Sequence, residues 1–126
     1  MHEAQRKVRE FHDRFGCVAN DRPTWPGAHA HRLRMALLDE ELAELRNAGE
    51  VEDLVEVADA LADLLYVTYG AAVTYGIDLE PVFDEIHRSN MSKGDPEVRV
   101  RCDGKVLKGA HYSPPRVHEV LAAQSD

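Results

Sequence analysis

The chain has 126 residues, 44% of them hydrophobic and 30% charged, with 23 acids against 15 Lys and Arg for a formal charge of −8. That composition belongs to a folded domain long enough to bury a core, and one domain over residues 1–126 is expected. So acidic a surface argues against a generic nucleic-acid or membrane binder. It leaves room for a nucleotide, because a triphosphate arrives with a divalent cation that acids can hold. Cys17 and Cys102 are the only cysteines, and they form neither a metal knuckle nor a CxxC pair. The charged opening MHEAQRKVREFHDRF lacks the apolar stretch of a signal peptide. No run approaches about 18 uninterrupted apolar residues, so a cytoplasmic protein with reduced thiols is expected.

Helical periodicity runs through most of the first ninety residues. A first helix is predicted over residues 3–15, closing near Gly16, followed by the breaker-rich connection NDRPTWPGAH. Trp25 in that connection reads either as an anchor or as a ring that stacks on a base. A second helix is predicted over residues 28–47, stopped by Asn47, Ala48 and Gly49, and a third over residues 51–74, broken by Gly76. Asp78 is placed to cap a fourth, LEPVFDEIHRSN. A tail or flap over about residues 94–126 then alternates VRV around Asp103-Gly104, a hairpin signal, before a short last helix through VHEVLAA. The fold class is all-α.

The acids of the second and third helices set the functional question. At about 100° per residue, Glu41 and Glu44 fall on the line of Leu33 and Leu37, Asp39 and Arg46 fall on the far side, and Glu40 sits at the edge. On the third helix Glu56, Asp59 and Asp63 share a face with Tyr66 and Gly70, while the rest of the circumference is apolar. A helix apolar nearly all round is expected to be buried, and buried carboxylates need a counter-charge. Oxygen-only ligands point to Mg²⁺ or Mn²⁺. Taken alone, LLDEELAELR reads more readily as a solvated face; both clusters inside one bundle-sized domain favour a metal.

In order, DEELAEL, EVADALADLLYVTYG, FDEIHRSNMSK, DGKVLKG and the YSPP segment resemble the MazG-like, all-α nucleotide pyrophosphohydrolases. That superfamily includes dimeric dUTPases and phosphoribosyl-ATP pyrophosphohydrolase. The resemblance covers roughly residues 4–115. It implies a four-helix-bundle-like MazG fold with a short C-terminal hairpin or flap and a small terminal helix. It also implies an ExxE at Glu41 and Glu44, with Glu40 completing EExxE, and an ExxD on the next helix. Here the literal ExxD is Glu56 to Asp59, whereas aligning on DLLY makes Asp63 the aspartate and puts Ala60 at the glutamate position. Glu56, Asp59 and Asp63 are therefore read together as metal ligands.

The implied reaction is Mg²⁺-dependent cleavage of a (deoxy)nucleoside triphosphate to monophosphate and pyrophosphate, with dUTP the first guess and a non-standard dNTP behind it. Glu40 or Glu41 would take the proton of the attacking water. Asn90, Lys93, Lys108 and Tyr66 are candidate substrate contacts, and a homodimer or homotetramer is expected. Two rivals stand beside this reading. One is a non-catalytic helical interaction module. The other is a di-metal redox bundle, which expects Glu-x-x-His pairs where this chain offers Asp84-x-x-His87.

Overall fold

The computed structural model describes residues 1–94 and 111–126. Among them the chain forms five helices: α1 (Glu3–Phe15), α2 (Ala28–Glu50), α3 (Leu54–Tyr75), α4 (Leu79–Met91) and α5 (Val117–Gln124). The fold is all-α, with no strand among the described residues. The predicted hairpin around Asp103 and Lys108 lies outside them. The chain divides into two compact units, Met1–Leu79 and Glu80–Asp126.

In the first unit α3 is the shared element, packed against both α1 and α2. The covering stripes follow helical spacing. On α1 the buried residues are Gln5, Val8 and His12, and on α2 they are Ala30, Arg34 and Ala48, with Leu37, Leu38, Glu41 and Leu45 half-buried between them. Opposite them α3 buries Ala60 and Gly70, and the small side chains at 30, 48, 60 and 70 let the two helices lie close.

The end of α3 is held by the loop between α1 and α2. A helix leaves its last carbonyls without partners. Here the Asn20 amide donates to the Val73 carbonyl (3.0 Å), the Asn20 side chain to the Thr74 carbonyl (2.7 Å) and the Thr24 amide to the Tyr75 carbonyl (2.8 Å). The Thr74 hydroxyl donates back to the Val18 carbonyl (3.0 Å). Gly76 closes the helix in the left-handed region (φ 71°), and the Ile77 amide reaches back to the Ala72 carbonyl. Gln5 then clamps the exit: its amide donates to the Ile77 carbonyl (2.7 Å) and its oxygen accepts from the Leu79 amide (3.1 Å).

Two expectations need correction. The second helix passes through Asn47, Ala48 and Gly49 and ends at Glu50. The true break is Val51–Glu52, where Glu52 takes a positive φ of 54°. Asp53 then caps α3, its carboxylate accepting from the Glu56 amide at 3.2 Å, so that helix starts at Leu54. The second correction concerns burial. Within the first unit α1 and α2 pack on the third helix and leave part of it open: Leu54 is 80% exposed, Val55 76% and Leu65 59%. By length and composition α3 also reaches what a membrane span needs, although Asp59 and Asp63 within it would be costly in a bilayer.

In the second unit Glu85 is the organising group, accepting from the Arg88 guanidinium (3.0 Å) and from the Arg116 amide (2.9 Å). The Arg88 guanidinium, and then the Arg116 N–H, hold its carboxyl down at about 2. Ser92 accepts from the Ser113 amide at 2.8 Å.

A β-carbon on Gly76 would run into the Arg22 carbonyl, and φ is already positive there. Gly76→Ala is therefore expected to destabilise by more than about 1 kcal/mol. Gly49→Ala, in helix with open space around it, is expected to stabilise by up to about 1 kcal/mol. Urea unfolding of the two variants checks the pair.

Candidate metal centre

α2 and α3 bring three of the predicted acids together. One carboxylate oxygen each from Glu41, Glu44 and Asp63 lie within 4.8 Å of one another. Glu41 and Asp63 are half-buried on the seam, while Glu44 is exposed at its rim. The Oε2 atom of Glu41 is buried without a hydrogen-bond partner among the described residues. A buried acceptor costs free energy when left unpaired, and a cation is one partner that would satisfy it.

Electrostatics say the same. The Glu41 carboxyl is pushed above its ordinary 4.5, first by loss of hydration, then by its hydrogen bond with Glu44 and the charges of Glu44, Asp63 and Glu40. No cation among the described residues is a cause of this shift. The donor set therefore fits a hard divalent ion: carboxylate oxygens only, a bare acceptor among them, and an excess of negative charge.

Asp59 and Glu56 are exposed about one and two turns earlier on α3. They line a cleft of about 340 Å³ together with Glu44, Asn47, Ala48, Val51 and Ala60. Ala60, at the position where a glutamate is expected, is buried and forms part of that wall. The acids thus form a clustered trio and a pair across a cleft, with Glu44 in both. Glu40 is exposed beside the trio and acts on Glu41 through its charge.

Tyr66 stands edge-on to Phe11 (5.7 Å between ring centres, 90°) and lines an apolar groove with Lys7, Val8, Leu65 and Tyr69. Asn90 and Lys93 belong to the second unit, where the Lys93 ammonium sits 5.7 Å over the Tyr112 ring. Lys108 lies outside the described residues. Trp25 is not a core anchor: it is exposed, its ring tilted over His31 at 4.9 Å.

The sequence reading passed over Arg34. It stands seven residues before Glu41, on the same side of α2, and is buried. That spacing was a usable signal, since residues seven apart share a helix face. His12, also buried, lies on α1 with Gln5 and Val8.

The raised carboxyl of Glu41 has a consequence for metal-free protein. The folded state holds this proton more tightly than the unfolded chain does. The stability it contributes is therefore full below the ordinary value of 4.5 and is lost as pH rises through the folded-state value. Glu41→Gln removes that loss. In a chelator, the melting temperature of Glu41→Gln should climb relative to wild type as pH rises from 4.5 towards neutrality; parallel curves would contradict it.

Part of the chain is 43% identical over 49 residues to a protein of Acanthamoeba polyphaga mimivirus named uncharacterized protein L479. The match covers 39% of this chain and 20% of the viral protein, so this chain spans only a small part of that relative. The model of the phosphoribosyl-ATP pyrophosphohydrolase family matches residues 8–90, from the middle of α1 almost to the end of α4. All the clustered carboxylates fall inside that span. The chain belongs to the phosphoribosyl-ATP pyrophosphohydrolase family, of the MazG-like all-α type.

Proposed function

We propose that this protein is a Mg²⁺-dependent nucleoside triphosphate pyrophosphohydrolase, converting a (deoxy)nucleoside triphosphate and water to the monophosphate and pyrophosphate. The observation that carries the reading is the bare, buried Oε2 of Glu41 in its trio with Glu44 and Asp63, inside a chain of pyrophosphohydrolase family. Glu41, Glu44 and Asp63 would hold the ion, with Glu56 and Asp59 available across the cleft for a further one. Bound there, the ion supplies charge neutralisation at the phosphates and acidifies water.

The chain's own residues do the rest. The trio fixes where a metal-laden triphosphate binds, because its negative charge repels bare phosphate and accepts only the neutralised form. Glu40, exposed beside the trio and outside it, is the carboxylate free to take the proton of the attacking water. No covalent intermediate is needed. The reading carries with it a cytoplasmic setting, in which Cys17 stays a free thiol.

The uncovered face of α3 supports a homo-oligomer. Val51, Leu54, Val55, Leu61 and Leu65 are all exposed along that face or its approach, a run of apolar side chains of the kind that subunit contacts cover. A second copy burying it is the simplest cover.

Two experiments test this. Pyrophosphate release from a panel of NTPs and dNTPs with Mg²⁺ should be seen with wild type, and should fall at least about 100-fold in Glu41→Gln and Asp63→Asn. Absence of release from every nucleotide, or full activity in both variants, would refute the hydrolase. Light scattering on a sizing column should find a dimer or tetramer that Leu54→Glu shifts towards monomer; a monomeric wild type would refute the assembly.

A further inference from the structure

The cleft beside the trio has both room and a lining suited to a ligand. Its volume is about 340 Å³, and it lies where the last turns of α2 meet the first turns of α3. The reversal between the two helices bounds it: the Asp53 amide donates to the Ala48 carbonyl (3.1 Å), and Glu52 takes its positive φ there. Ala48 and Ala60, 6% and 3% exposed, form the floor, with Val51 beside them. A glutamate at position 60, as the resemblance implies, would project into this space. The methyl group of Ala60 leaves it open.

The lining discriminates by charge. Glu44 belongs to the trio and to the cleft alike. Asp59 stands four residues and Glu56 seven residues before Asp63, about 6 and 10 Å from it along α3 at 1.5 Å per residue. The side chains of Asn47, Glu56 and Asp59 have no hydrogen-bond or ion-pair partner among the described residues. Carboxylates at the rim repel a phosphate that lies away from the ion. They suit an uncharged, flat group that covers the alanine floor and turns N–H donors towards the rim.

We infer that this cleft takes the base of the substrate and selects a base that carries an exocyclic amino group. The substrate then runs from the ion at the trio, through its pentose, along the line from Asp63 to Asp59 and Glu56. Carboxylates only accept, so an amino group facing Glu56 or Asp59 gains a charge-assisted hydrogen bond. The Asn47 carboxamide has an N–H to give to the bare ring nitrogen beside that amino group. Cytosine and adenine present this pair. Uracil and thymine place a carbonyl oxygen on either side of their one edge N–H, and the carboxylates repel both oxygens. A cytosine nucleotide therefore ranks above a uracil one. Asn47, Glu56 and Asp59 are in this account specificity-determining residues, with the two acids facing the base instead of a further ion. The inference rests on the nucleotide reading of the metal centre.

The test compares binding of α,β-imido-dCTP and α,β-imido-dUTP, two non-cleavable pyrimidine nucleotides, by calorimetry with Mg²⁺. Wild type should bind the cytosine compound about 10- to 100-fold more tightly, the effect of mispairing donors and acceptors. Asp59→Asn and Glu56→Gln should each bring the ratio towards one, because a carboxamide also donates and so admits the uracil carbonyl. Both positions are exposed, so neither change threatens the fold. Equal or reversed wild-type affinities overturn the inference. So does an equal loss for both compounds in both variants, the mark of a metal ligand. Selective binding without pyrophosphate release from any natural nucleotide leaves the inference standing and refutes the hydrolase reading. Release together with equal affinity for the two compounds does the reverse, and failure to bind either compound refutes both.

Discussion

Mutual repulsion among Glu41, Glu44 and Asp63 is the constraint around which the first unit is built. Three carboxylates with oxygens inside 4.8 Å oppose the folding of the helices that carry them, and the loss of water around Glu41 adds to the cost. A fold that only needed an α2–α3 seam would place leucine or alanine there, as it does at Leu38, Leu45 and Ala48. Under the proposed function, acids are retained on the inner side for the cation that would join them. A bound cation would then offset the cost of bringing these charges together.

The scaffold meets this cost at the other end of the helices. The carbonyls of Val73, Thr74 and Tyr75 are taken by Asn20 and Thr24, and Gln5 clamps the turn beyond Gly76. These bonds fix the pitch and register of α3 against α1 and α2. The register then decides the chemistry, level by level: acids opposite one another near Glu41, then Arg34 against Gly70 and His12, then Trp25, His31 and Tyr75 at the loop end. One seam carries negative, positive and aromatic groups in turn.

Much of this was legible in the sequence, for stated reasons. Helical periodicity located the five helices, and Gly16 and Gly76 closed two of them as left-handed caps. The wheel separated Glu41 from Asp39, because inward and outward positions differ by half a turn. Gly49 misled, since helical hydrogen bonding outweighed its weak propensity, while the real stop at Glu52 had no Gly or Pro to announce it. The wholly apolar circumference of α3 was taken for burial inside one chain. Sequence cannot tell a surface covered by its own chain from one left open, and Leu54 and Val55 belong to the second kind. Arg34 is easy to pass over for a related reason: an arginine within a helical pattern reads as solvent-facing, although its spacing of seven from Glu41 puts it on the same side of α2. The roles of Asn90 and Lys93 rest on the family resemblance, and that of Tyr66 on its place along the acidic line of α3.

The claim on which everything else depends is that the trio is a cation site, and Mn²⁺ calorimetry addresses it without reference to any substrate. Wild-type protein at mildly acidic pH should bind Mn²⁺ with a heat that varies with the ionisation enthalpy of the buffer, because the proton held by Glu41 must leave as the ion enters. Glu41→Gln should bind far more weakly and show no such buffer dependence. Equal Mn²⁺ affinity in wild type and Glu41→Gln would contradict the account.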